Sequence, residues 1–135
     1  MKALSLWEPW ATFVALKIKR YETRSWGTKY RGPLLICAAQ KRLPFVKVGH
    51  LLLRAGVSPD ELQYGMALAI VYLTDVIRTE EVGKVLLILE KEFGDFTPGR
   101  FAWKLDDVKR FQKQFYARGG YRLFDVPDEI LRGRV

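Results

Sequence analysis

Apolar positions along this chain recur with two periods, and each change of period marks an element. KALSL, residues 2–6, is short and partly alternating, which predicts a first strand. EPWATFVALK, residues 8–17, places Trp10, Phe13 and Val14 on one face at spacings of three and four, with Pro9 in a first turn, and predicts a helix. The segment that follows is extended around a turn at Gly27. GPLLICAA, residues 32–39, is a continuous apolar run of strand length, the pattern of a central strand covered on both faces.

Residues 41–56 return to helical spacing through Phe45, Val48, Leu52 and Leu53, with Gly56 as the stop. GMALAIVYLTDVIRT, residues 65–79, is β-rich and predicts the longest strand. EEVGKVLLILEKEFG, residues 80–94, sets Val82, Val85, Leu86, Leu89 and Phe93 on one helical stripe, with Glu80 and Glu81 at its favourable N-terminal end. RFAWKLDDV then reads as a strand, followed by a basic segment to Gly119-Gly120 and a last strand in YRLFDV. Five or more strands with about three helices between them is an α+β pattern, not the regular alternation of a doubly wound fold. A small mixed or antiparallel barrel with helices over its openings fits it best.

The length, 135 residues, predicts one domain over residues 1–135 with a real core. Apolar residues at 49% and charged residues at 28% place the chain with ordinary globular proteins and away from disordered ones. The single cysteine, Cys37, lies in the run LLICAA and reads as a buried structural thiol with no internal disulfide partner. With no secretory leader, that predicts a cytoplasmic protein. The longest apolar run, MALAIVYL, is too short to span a bilayer, so no membrane partner is expected. The net charge of +8 is lopsided: residues 1–54 carry eleven Lys or Arg against Glu8 and Glu22 alone, a balance of +9. A surplus confined to one segment predicts a basic face and a polyanion partner, nucleic acid first.

Most catalytic chemistries are closed by composition. The one histidine, His50, sits among Val48, Leu51 and Leu52 and reads as a helix-surface residue, so Ser-His-Asp and Cys-His arrangements have no proton carrier. One His and one Cys cannot supply a tetrahedral zinc site, and Asp106-Asp107 would alternate faces on a strand. There is no P-loop and no GxGxxG, so no metal and no cofactor is expected.

Lys and Glu chemistry stays open. KRYETRSWGTKYRG, residues 19–32, holds five cations, three aromatics and one carboxylate in fourteen positions. Lys19 and Glu22 are three apart, close enough to converge across a bend and to offer a base edge one donor and one acceptor. As an exposed ion pair the same two residues would contribute only about 0–1 kcal/mol. Trp7, Trp10, Tyr21, Trp26 and Tyr30 interleave with the cations, the combination that single-stranded nucleic acid or a lone nucleotide requires. Trp10 shares the apolar helix stripe and reads as core, whereas Trp26 reads equally as core or as a stacking ring.

Taken together, SLWEPWA, KIKRYETRSW, YRGPLLICA and GRFAWKLDDV resemble, in order, four motifs of the ASCH family, in the PUA-like superfamily, over roughly residues 3–108. The resemblance implies a PUA-like small β-barrel of five to seven strands with peripheral helices and a cleft on one side. It also implies an RNA-related role in which single-stranded RNA or a modified nucleotide is the partner. Carried over by position, the cleft residues are Pro9, Trp10, Lys19, Glu22 and Arg24, with Trp26, Lys29, Tyr30 and Arg31 close by.

Two positions depart from the family pattern. Lys17 stands where glycine is usual, and Glu8 stands where glutamine is usual, which replaces a donor-acceptor with an acceptor-only charge. Some ASCH-like proteins are amidohydrolases on acetylated cytidine that use a lysine, a threonine and a glutamate, and a ribonuclease activity is also associated with the wider family. Lys19 matches that lysine, while Glu22 occupies the threonine's place, which makes Lys19 and Glu22 the catalytic candidates. An RNA- or nucleotide-binding module is therefore expected ahead of a small hydrolase. A protein-interaction module with a basic face is the third reading.

Overall fold

The computed structural model describes residues 1–82, 86 and 88–134. Six strands form one sheet: β1 (Lys2–Leu6), β2 (Tyr21–Arg24), β3 (Gly32–Ala38), β4 (Met66–Arg78), β5 (Phe101–Tyr116) and β6 (Leu123–Asp125). Their order is β2-β5-β4-β3-β1-β6, with β1 and β3 parallel and every other neighbouring pair antiparallel. Among the described residues four α-helices accompany it: α1 (Trp10–Ala15), α2 (Phe45–Ala55), α3 (Thr79–Val82) and α4 (Ile88–Glu92). This is the α+β architecture expected, with the sheet curled into a half-barrel whose edges, β2 and β6, do not pair.

β3 lies inside the sheet, and its alternate residues fill both sides. Leu34 and Ile36 join Leu4, Val71, Leu73 and Trp103 in the main core beside α1, while Leu35 and Cys37 pack on the other face with Phe111 and Phe115. Burial pushes the Cys37 thiol up to about 12, in keeping with a structural role. A third cluster ties α1 to α2 and to the segment after α4 through Phe13, Leu51, Leu52 and Phe93.

Three expectations are corrected. The longest strand is β5, with 16 residues against 13 in β4, because RFAWKLDDV and the basic segment after it are one strand. β5 stays continuous by bending at Asp107, where φ is +50°, and through register shifts against β4. On α2 the buried stripe is Val48, Leu51 and Leu52, while Phe45 and Leu53 are exposed, so the core-facing arc is rotated from the one the spacing indicated. The stripe of residues 80–94 falls in two helices, with Leu86 between them outside either, and Leu89 is exposed. Val82 and Phe93 are buried as expected, whereas Val85 lies outside the described residues. Among the described residues no helix is long and apolar enough to cross a membrane.

The end of α1 sets up the candidate site. Ile18 donates to the Phe13 carbonyl at 2.9 Å and Lys17 to the Val14 carbonyl at 3.0 Å, the paired bonds of a Schellman turn. That turn needs a left-handed residue, and Lys17 takes it at φ +64°. The chain path is therefore the one a glycine would give, held by a residue that is strained there. Lys17→Gly should raise the unfolding free energy by about 0.5–1 kcal/mol, the left-handed strain of about 1–2 kcal/mol less the extra chain entropy of glycine. Urea denaturation of that variant, with Lys17→Ala as the control that keeps the strain, measures it.

Candidate functional site

A cleft of about 600 Å³ lies at the seam where the curled sheet fails to close. Ser5 and Trp7 supply the β1 side, while Glu22, Thr23, Arg24 and Trp26 supply the β2 side. Trp10 and the segment Glu92 to Asp95, with Arg100, complete the wall. β6 pairs only with Lys2–Leu4 of β1, so the Ser5 carbonyl has no strand neighbour there. Arg24 Nη2 donates to it at 2.9 Å, crossing the seam. Arg24 Nε sits 3.4 Å from Glu22 Oε2, which keeps that carboxylate beside a cation at the cleft wall.

Trp26 packs edge-to-face on the buried Trp103, with ring centroids 4.9 Å apart, and its carbonyl accepts from Trp103 Nε1 at 3.2 Å. Guanidinium groups flank the same ring, Arg122 at 4.6 Å and Arg24 at 5.9 Å from its centroid. Trp26 thus packs on the core ring of Trp103 and also lines the cleft. Trp10 is half-buried, packing against the third cluster while it lines the cleft. Trp7 is 42% exposed, with Lys41 Nζ 4.8 Å from its ring.

Lys19 is 1% exposed, and its Nζ has no hydrogen-bond partner among the described residues. Burial lowers the pKa of this amine, opposed by the negative charges of Glu22 and then Glu90. Gly94 makes the close approach feasible, since a Cβ there would stand 3.1 Å from Lys19 Nζ and 3.3 Å from Thr23 Oγ1. Glu90 reaches in from α4, its Oε1 accepting from the Arg20 amide at 2.7 Å while its Oε2 is buried without a partner among the described residues. Burial, the largest cause, raises the Glu90 pKa, and the Arg20 amide and Lys19 pull the other way. The loop after α4 is pinned to β2 by the Asp95 amide donating to Thr23 Oγ1 at 3.0 Å. Arg100 Nη2 donates to the Thr23 carbonyl at 3.4 Å, and its Nε stands 3.4 Å from Asp95.

The structure therefore brings Trp10, Glu22, Arg24 and Trp26 to the cleft, with Lys19 behind its wall. Pro9 is buried beneath α1 and does not line the cleft. Lys29 and Arg31 line a separate shallow groove, and Tyr30 donates its hydroxyl to the Pro33 carbonyl at 2.5 Å. Glu8 faces away from the cleft: it accepts from the Thr12 amide at 2.8 Å, the Thr12 hydroxyl at 2.5 Å and the Gln63 amide at 2.8 Å. Three donors suit an acceptor-only carboxylate, which explains this departure from the family's glutamine. Asp106 accepts from Thr74 Oγ1 at 2.5 Å, and among the described residues no His, Cys, Asp and Glu cluster could hold a metal ion.

Thr23, Glu90, Asp95, Arg100 and Arg122 were not read as site residues. Thr23 and Arg100 lie inside recognisable motifs and carried a signal. Glu90 and Arg122 carried none, because 70 or more residues separate them from their partners.

These features accompany a sequence that matches the ASCH domain model over residues 4–115, and the chain belongs to the ASCH domain family. It is 27% identical over 140 residues to activating signal cointegrator 1 of Mus musculus, covering 96% of this chain and 23% of that protein. The chain thus spans about a quarter of that relative's length. Its fold resembles the ASCH protein of Zymomonas mobilis, with TM-score 0.58, 13% identity, and coverage of 95% of this chain and 88% of that one. A tyrosine-to-phenylalanine variant of the same protein gives TM-score 0.59 at 13% identity, covering 95% and 91%.

The buried Lys19–Glu90 arrangement has a signature in stability against pH. Lys19 is lowered below 10.5, so the cost of burying its charge is full below its folded-state pKa and is relieved as pH rises from there to 10.5. Glu90 is raised above 4.5, so its cost is absent below 4.5 and develops as pH rises through the folded-state pKa. The double variant Lys19→Met/Glu90→Gln should exceed the wild type by about 1–4 kcal/mol near pH 7. That margin should shrink in both the acid and the alkaline direction, as chemical denaturation at several pH values will record.

Proposed function

We propose that the chain is an RNA-binding module whose cleft accepts one base of a single strand or a modified nucleotide. The observation that carries this is Trp26, an aromatic ring that lines the cleft with the guanidinium groups of Arg24 at 5.9 Å and Arg122 at 4.6 Å from its centroid. Rings of this kind stack on bases while cations hold the neighbouring phosphates. The family's association with RNA and the positive balance of residues 1–54 support the same reading.

The electrostatics favour a base inside and phosphate outside. Glu22, Glu92 and Asp95 line the cleft beside Arg24 and Arg100. Carboxylates repel phosphate, and one not already taken up by an arginine, as both oxygens of Glu92 are by Arg54, accepts hydrogen bonds from the amino groups of bases. Cations gather where a backbone would pass: Lys41 over Trp7, and Arg122 over Trp26. On this reading Arg24 holds the Glu22 carboxylate in place, and the cleft is a basic rim around an interior of mixed charge. The expected setting is cytoplasmic.

The second reading, a small hydrolase, draws on Lys19 and Glu90, an amine and a carboxylate behind the cleft wall, and on the hydroxyl of Thr23 in that wall. An amine lowered by burial suits proton transfer. Binding ranks ahead because Lys19 Nζ is enclosed and lies behind the residues that line the cleft. Turnover of acetylated cytidine or of RNA that disappears in Lys19→Met would reverse that ranking.

Trp26→Ala should weaken binding of a short single-stranded oligonucleotide by about 1–3 kcal/mol. It should also lower stability by about 0.5–1.5 kcal/mol through the lost contact with Trp103. Wild-type affinity should fall linearly with salt on a log–log plot, with a slope reporting several phosphate contacts. Fluorescence anisotropy measures both effects, and an affinity indifferent to salt rules out the backbone contacts.

A further inference from the structure

A second groove, of about 980 Å³, opens beside the turn that precedes β2, lined by Lys17, Arg20, Tyr72, Asp107 and Lys109 among others. Lys17, Arg20 and Lys109 are exposed, and none makes an ion pair with another described residue. Tyr72 is 44% exposed above a floor that includes Ile70 and Leu105. The groove therefore offers three free cations and a flat ring.

Backbone strain converges on the same place. Three non-glycine residues adopt left-handed φ among the described residues, and two of them, Lys17 and Asp107, line this groove. The β4–β5 register also shifts between Ile70 and Tyr72, and such bulges re-aim side chains beside binding sites. At position 17 glycine would close the turn without steric cost, so the chain tolerates strain where the result is a cation at the groove mouth.

We propose that this groove is a second nucleotide site, in which Tyr72 stacks on a base and Lys17, Arg20 and Lys109 hold the backbone of the same RNA strand that enters the cleft. The inference rests on the RNA-binding reading above. One short segment divides the two sites: residues 22–24 line the cleft, and Lys17, Lys19 and Arg20 line the groove. Arg20 and Arg24 are four residues apart, about 13 Å along an extended chain, a span that a few nucleotides cover. Asp107 supplies an acceptor for a base amino group, while Asp106 is already held by Thr74.

Edge protection accounts for part of the charge but not for the rest. β2 pairs with β5 only over Phe101–Lys104, which leaves the remainder of β5 an open edge of the kind that lysines guard. That explains Lys109. It does not explain a strained lysine at position 17 or the exposed ring of Tyr72.

The test is fluorescence anisotropy with labelled oligouridylates of three and nine nucleotides. Tyr72→Ala and the triple variant Lys17→Gly/Arg20→Gln/Lys109→Gln should each weaken binding of the nine-mer about tenfold, and the triple variant should also flatten its salt dependence. Both should weaken the trimer less than the nine-mer, whereas Trp26→Ala should weaken both lengths alike. A nine-mer affinity untouched by the groove variants, with Trp26→Ala still damaging, overturns the second site and leaves the cleft reading standing. Wild-type protein that binds neither length overturns the RNA reading and this proposal together. Ultraviolet cross-linking of a 4-thiouridine nine-mer to wild-type protein should mark the peptide containing Tyr72, which needs no variant to fold, and its absence counts against the site.

Discussion

Arg24 reaches from one edge strand of the sheet across to β1 and donates to the Ser5 carbonyl, a group for which the sheet supplies no neighbour. An unclosed barrel leaves peptide groups of this kind along its seam, and each must find a partner or face water. Here the seam is bridged by side chains instead of by a ladder: Arg24 to Ser5, and Arg122 over Trp26. Full closure would have removed the edges and filled the space with strand. Because closure stops short, the gap persists as a cleft, and the residues that hold its lips are the ones that face any ligand.

The same constraint explains the less favourable features around it. Lys19 is enclosed without a partner among the described residues and Lys17 is held in a left-handed turn, and neither arrangement would be chosen for stability alone. Both sit where α1 passes into β2, and what lies there is the wall shared by the cleft and the outer groove. Buried amines and strained turns gather at functional positions because the surrounding packing can hold them. Phe13 and the other residues of the third cluster provide that packing here.

Periodicity made the strands and the first two helices legible, and the ordered motifs made the family legible, because both signals are local. β3 is the clearest case: an uninterrupted apolar run has few places to go except a strand covered on both faces. The course of β5 was hidden, since a left-handed aspartate and register shifts carry one strand through what reads as an element and a basic tail. On α2 the spacing showed that an apolar arc exists, but Phe45, Val48, Leu52 and Leu53 did not reveal which part of it meets the core. The site divided along the same line. Trp26, Glu22 and Arg24 announced themselves by sitting together, whereas Glu90 and Arg122 arrive through tertiary packing that no window of sequence contains.

The chain's one thiol has a practical consequence. Cys37 lies on the covered face of β3 and loses its proton only near the alkaline extreme, so the folded protein presents no thiolate to an alkylating reagent. The natural sequence is therefore already a silent background for site-specific labelling. A cysteine introduced at any exposed position would carry a fluorophore or spin probe alone, with no need to remove the native residue from the core.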